Sequence, residues 1–200
     1  MIKLIVTDLD GTLLDDRGEL SPYTEVVFAE CKRRQILIGI ATARTAESCE
    51  AIAERFQPDI LITEDGRTVT VQGKVVFAQA RPQAKNLDSL ISTLLVDCAL
   101  SDKMDGIREV MKHLSIASSE IAAFGDEDND IGMVIECGAG VAVENATQEL
   151  KQIADYVCES NNDNGVARWI EQNVLRGSGT MKTKILHGGQ PQDFGWQHSG

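Results

Sequence analysis

Asp8 and Asp10 stand one residue apart, directly after the apolar run Leu4-Ile5-Val6, within Asp8-Leu9-Asp10-Gly11-Thr12. The run reads as a short central strand, and Gly11 supplies the turn that ends it. Side chains alternate along a strand, so both carboxylates are expected on one side of its carboxyl end. That edge is where open α/β sheets bind their ligands. Two carboxylates so close repel each other and call for a cation or a shared proton. The chemistry that suits them is magnesium-dependent phosphoryl transfer. The competing reading is a solvated turn, since Asp and Gly are common turn formers.

Three further polar elements follow apolar strands or open a helix. Thr42, after Ile36–Ala41, offers a hydroxyl and a nearby backbone N–H to a phosphate oxygen. Lys103 stands at a helix N-terminus, where the macrodipole disfavours a cation. A role that needs positive charge explains that placement, although a solvated lysine is the commoner case for any single Lys. Asp126 and Asp130 bracket Asn129 after the strand Ile121–Phe124, bringing more carboxylates to the same sheet edge. Each element alone is more often bland than functional. Together they supply nucleophile, acid/base, hydroxyl, cation and metal carboxylates.

The elements that must position these groups alternate. Strands are expected at 4–6, 36–41, 59–63, 121–124, 141–143 and 156–158, with a β-hairpin over 68–71 and 75–77. Helices are expected from Ser21-Pro22 to Arg34, over 46–56, over 86–98, from Lys103 through Leu114, and over 165–174. This order predicts an α/β fold with a Rossmann-like, doubly wound and mostly parallel sheet. From Arg176 onward glycines interrupt every apolar pattern, so 176–200 reads as a poorly ordered or non-native tail, or as an arm that docks on a neighbouring subunit.

The chain has 200 residues, enough for one domain with a sizeable core. Its net charge is -12, from 31 acidic and 19 basic residues, with no basic stripe. That argues against nucleic-acid and anionic-membrane surfaces. A small phosphorylated metabolite remains compatible, because local cations override the global sign. The five cysteines are dispersed and odd in number, with no metal-binding spacing. They read as reduced, mostly buried residues. No signal-peptide core and no long apolar stretch is present, so the expected compartment is the cytoplasm.

Asp8-Leu9-Asp10-Gly11-Thr12, Thr42, Lys103 and Gly125-Asp126-x-x-Asn129-Asp130 resemble the four motifs of the haloacid dehalogenase superfamily of phosphohydrolases. The order that follows, with Val141-Ala142-Val143-Glu144-Asn145-Ala146 and then Asn162-Asp163-Asn164-Gly165, is similar to the Cof-like (type IIB) sugar-phosphatase branch. The likeness spans roughly 1–81 and 101–174. It implies that Asp8 is the nucleophile, forming an aspartyl phosphate. Asp10 would protonate the leaving group and then activate water. The resemblance implies Mg²⁺ as cofactor, held by Asp8, the backbone carbonyl of Asp10, and Asp126. Thr42, Ala43, Arg44, Lys103 and Asn129 would surround the phosphate. Asp130, with Asn129, would support the metal shell and orient Lys103.

Departures from the branch are Thr42-Ala43-Arg44 for the usual Thr-Gly-Arg, Met104 where glycine is common, and Glu64-Asp65-Gly66 where Asn-Gly is frequent. The large departure is the cap, a substrate-covering domain of roughly a hundred residues in relatives. Only 81–102 remains for it here, as a vestigial cap or connector helix between core segments 1–80 and 103–175. No separate cap core can form from that length. The site is then open, or a second subunit of a homo-oligomer covers it. The expected function is phosphatase action on small organic phosphate monoesters. The alternatives are a phosphomutase and a non-catalytic, regulatory protein.

Overall fold

A computed structural model describes residues 1–79 and 102–176. Its strands are β1 (Leu4–Thr7), β2 (Leu37–Ala41), β3 (Ile60–Thr63), β4 (Thr68–Val71), β5 (Lys74–Ala78), β6 (Ile121–Gly125), β7 (Ala139–Ala142) and β8 (Tyr156–Val157). They form one sheet in the order β5-β4-β3-β2-β1-β6-β7-β8. All pairings from β3 across to β8 are parallel, whereas β3 with β4 and β4 with β5 are antiparallel. The expected hairpin is thus the edge of the main sheet, and the expected fold class holds.

The central strands are apolar on both faces because helices cover both. Leu4, Ile5, Val6, Ile38, Ile40, Ile121, Ala122 and Phe124 are all fully buried. The helices are α1 (Pro22–Arg33), α2 (Ala46–Phe56), α3 (Lys103–Leu114), α4 (Ile131–Glu136), α5 (Gln148–Ile153) and α6 (Gly165–Ile170). One group joins α1 to α6; another joins α3 to α4, with α3 lying over β3 and β4. Trp169 on α6 meets Phe124 and Tyr156 edge-on at 5.3 and 5.4 Å, tying β6 and β8 to that layer.

Local chemistry sets the helix ends. Ser21 caps α1 by accepting from the Thr24 N–H, with Pro22 in the first turn. Asp102 caps α3 by accepting from the Met104 N–H at 3.0 Å. The expected helix over 165–174 is α-helical only to Ile170, and Glu171–Leu175 then widens into a π turn. Apart from Asp102, the expected connector helix lies outside the described residues, as does the tail beyond Arg176.

Cys31, Cys49, Cys137 and Cys158 are free and buried, and burial pushes the Cys137 and Cys158 thiols up to about 12. They are inert packing groups. Cys98 lies outside the described residues.

Candidate active site

The strand order reverses at β1, with β2 on one side and β6 on the other. Open α/β sheets bind ligands in the crevice at such a point. The registers Thr7↔Ile40 and Thr7↔Phe124 bring the carboxyl ends of the three strands level. The Asp8 backbone N–H then donates to the Phe124 carbonyl at 3.0 Å.

Asp8 is buried, and its Oδ1 accepts from Lys103 Nζ at 2.6 Å. The same ammonium donates to Asp130 Oδ1 at 2.7 Å. Asp130 is fully buried, and its second oxygen accepts the backbone N–H groups of Asp126 and Glu127 at 2.9 and 3.1 Å. Both its oxygens are therefore engaged. Burial works against the Lys103 charge, but Asp8 and Asp130 outweigh it and raise its pKa. An ammonium at the head of α3, unfavourable to the helix dipole, is held there by two carboxylates.

Asp126 lies beside this pair, with its Oδ1 accepting the Thr12 hydroxyl at 2.6 Å. Burial pushes its carboxyl up to about 6, against the Thr12 hydrogen bond and with help from Asp130. Burial likewise raises the Asp8 carboxyl; Lys103 opposes this and Asp130 and Asp126 add to it. Oxygens of Asp8, Asp126 and Asp130 all lie within 4.8 Å of one another. Three carboxylates surround an ammonium that bonds only Asp8 and Asp130, so the centre is short of positive charge. An all-oxygen donor set of this kind fits Mg²⁺.

The strand ends at Thr7, and the chain turns at Leu9-Asp10. Asp8 is buried, whereas the Asp10 side chain is 57% exposed and clasped by Arg44. Arg44 Nε and Nη2 donate to its two oxygens at 2.7 and 2.5 Å.

Thr42 is buried at the end of β2, and its hydroxyl oxygen accepts the Arg44 N–H at 3.2 Å. Glu64 and Asp65 close this loop by donating their N–H groups to the Arg44 and Thr42 carbonyls. Ala43 is exposed between them. Asn129 sits further out, with its amide 3.4 Å from Asp65. A cleft of about 290 Å³ opens there, lined by Asp65, Lys103, Asp128 and Asn129 among others.

Gly11 was read from sequence only as the turn that ends the strand, and Asn145 and Asn161 were given no role. Gly11 has φ +75°, a conformation strained for other residues, and a Cβ there would displace the Asp126 carboxylate. Its carbonyl accepts from Asn145 Nδ2 at 2.7 Å, and Asn145 Oδ1 accepts from the Asn161 N–H at 3.0 Å. Asn161, itself buried, donates to the Leu14 carbonyl and to Asp16. These asparagines clamp the loop that carries Asp10. The signal was available: Asn145 follows an apolar strand, as Thr42 does.

The haloacid dehalogenase-like hydrolase family matches residues 5–96 and 99–170. A phosphoglycolate phosphatase of Methanopyrus kandleri is 38% identical over 227 residues, covering 86% of this chain and 97% of its own. A 5-amino-6-(5-phospho-D-ribitylamino)uracil phosphatase of Bacillus subtilis is 23% identical over 240 residues, covering 87% and 96%. Both alignments are longer than this 200-residue chain, so these relatives carry segments that it lacks. A solved subclass IIB sugar phosphatase superposes with a TM-score of 0.73 at 19% identity, covering 85% of this chain and 98% of its own.

Proposed function

Because this chain belongs to the haloacid dehalogenase-like hydrolase family and is accordingly a phosphoric monoester hydrolase, we propose that it uses Mg²⁺ and an aspartyl-phosphate intermediate. Its substrates are small organic phosphate monoesters, sugar phosphates or similar metabolites. The observation that carries this reading is the buried Lys103 ammonium bridging Asp8 and Asp130 beside Asp126.

Phosphoryl transfer asks mainly for positioning and charge neutralisation. Asp8, Asp126 and the Asp10 carbonyl are the groups that would hold Mg²⁺, whose charge offsets that of the phosphoryl oxygens when bound. An Asp8 oxygen attacks phosphorus and the bond to the leaving oxygen breaks. Asp10 protonates that oxygen, then accepts a proton from water as water attacks the aspartyl phosphate. Lys103 and Thr42 hold phosphoryl oxygens; Asp130 fixes Lys103. Arg44, Ala43 and Asn129 border the phosphate side. The acidic net charge and the free cysteines among the described residues suit a cytoplasmic setting.

Phosphate release from p-nitrophenyl phosphate tests this, with Mg²⁺, with EDTA, and in Asp8→Asn. The expected result is turnover that needs the metal and is lost in the variant. Turnover that survives in Asp8→Asn removes the aspartyl-phosphate mechanism, and turnover that survives EDTA removes the metal.

A further inference from the structure

Arg44 stands beside Thr42, where a cation would be expected to serve the phosphate. In the structure its guanidinium is instead committed to Asp10, with Nε and Nη2 on the two carboxylate oxygens. We propose that Arg44 is a positioning residue for Asp10, fixing the carboxylate that takes the proton of the hydrolytic water. The proposal rests on the phosphatase reading above.

Stability does not account for the pair. The Asp10 and Arg44 side chains are 57% and 31% exposed, and ion pairs so exposed contribute little to folding. What a two-pronged guanidinium contact does provide is orientation, since it fixes both the place and the plane of the carboxylate. Both ends are anchored independently of the pair. The Arg44 N–H bonds Thr42 Oγ1 and its carbonyl accepts the Glu64 N–H. On the other side, Asn145 holds the Gly11 carbonyl, and Thr12 is bonded to Asp126. Arg44 therefore joins two fixed loops through a side chain that would otherwise sweep solvent.

The two halves of the reaction depend on this differently. In the first, an Asp8 oxygen bonds phosphorus and p-nitrophenolate leaves with its electron pair, without help from an acid. In the second, water bonds phosphorus, its proton passes to the Asp10 carboxylate, and the bond from phosphorus to Asp8 breaks. Inorganic phosphate is released and Asp8 returns as carboxylate. A misplaced Asp10 slows the second half alone for this substrate.

Rapid-mixing kinetics with p-nitrophenyl phosphate and Mg²⁺ test the proposal in wild type, Arg44→Ala, Arg44→Lys and Asp8→Asn, with circular dichroism confirming each fold. In Arg44→Ala a burst of about one p-nitrophenolate per enzyme is expected, followed by a steady rate lower by about tenfold or more. Arg44→Lys keeps the charge without the fork and should behave similarly. Guanidinium at tens of millimolar should restore part of the Arg44→Ala rate, whereas equal urea should not. A raised KM with unchanged kcat in Arg44→Ala, rescued by Arg44→Lys, would overturn the proposal and make Arg44 a phosphate cation. Unchanged kinetics would overturn it too. Wild-type turnover that persists in Asp8→Asn would instead strike the underlying phosphatase mechanism.

Discussion

Lys103 and Asp130 form a closed unit: the ammonium stands 2.7 Å from Asp130 Oδ1, and the other Asp130 oxygen accepts two backbone N–H groups. The pair links the head of α3 to the loop after β6 and leaves Lys103 one further carboxylate, Asp8, at 2.6 Å. Asp130→Ala removes one partner of a buried cation and strands the Asp126 and Glu127 amides. It should cost about 3–5 kcal/mol in urea unfolding and lower turnover as well. Lys103→Met should lower kcat by about 10²–10³. Asp130→Ala with wild-type stability would show that Lys103 needs no orienting carboxylate.

Gly106 of α3 packs against Gly66, and a Cβ on Gly106 would overlap Ile62 Cγ2 and lie 3.0 Å from Gly66 Cα. The close approach sets the depth at which Lys103 enters the site. Gly106→Ala gains about 1 kcal/mol of helix propensity but forces α3 outward, at about 1–3 kcal/mol. The expected outcome is a net loss of stability, together with a fall in kcat larger than stability alone predicts. Thermal unfolding and steady-state kinetics on the same samples separate the two.

The carboxyl of Asp126 lies at about 6 in the folded protein against 3.8 for a free side chain, and Asp8 is also raised. Between those values the folded state holds more protons than the unfolded chain. Metal-free stability from these groups therefore falls as pH rises through the window. Mg²⁺ should offset the loss: its effect on Tm should be about 5–10 °C at pH 7.5 with metal at about 100 times Kd. At pH 5, where Asp126 is protonated, the shift should be less than half as large. Equal shifts at both pH values would mean that the metal does not bind these carboxylates.

Asn161 donates to the buried Leu14 carbonyl at 3.0 Å and to Asp16 at 3.1 Å. Asn161→Ala leaves that carbonyl without its partner and should cost about 1–3 kcal/mol. Faster amide exchange should be confined to the segment around Gly11–Asp16. Exchange spread evenly over the chain would show that Asn161 only supports the general core.

The local elements were legible because their causes are local. The apolar runs of β1, β2 and β6 and the stripe Met104, Ile107, Met111 and Leu114 on α3 lie within single segments, as does the Ser21 cap of α1. The motif residues Asp8, Thr42, Lys103 and Asp126 were readable for the same reason: each follows a strand or opens a helix. Which partner each one meets was decided only by tertiary structure. Lys103 and Asp8 are 95 residues apart in sequence, and only the β2-β1-β6 order brings them to 2.6 Å. The Asp10–Arg44 pair was equally hidden, because its partners are 34 residues apart in sequence and meet only through the loops after β1 and β2. The asparagine clamp and the pairing of the hairpin onto β3 belong to the same class. Periodicity and capping act over a few residues, whereas strand order and the contacts between loops depend on how the whole chain closes around its core.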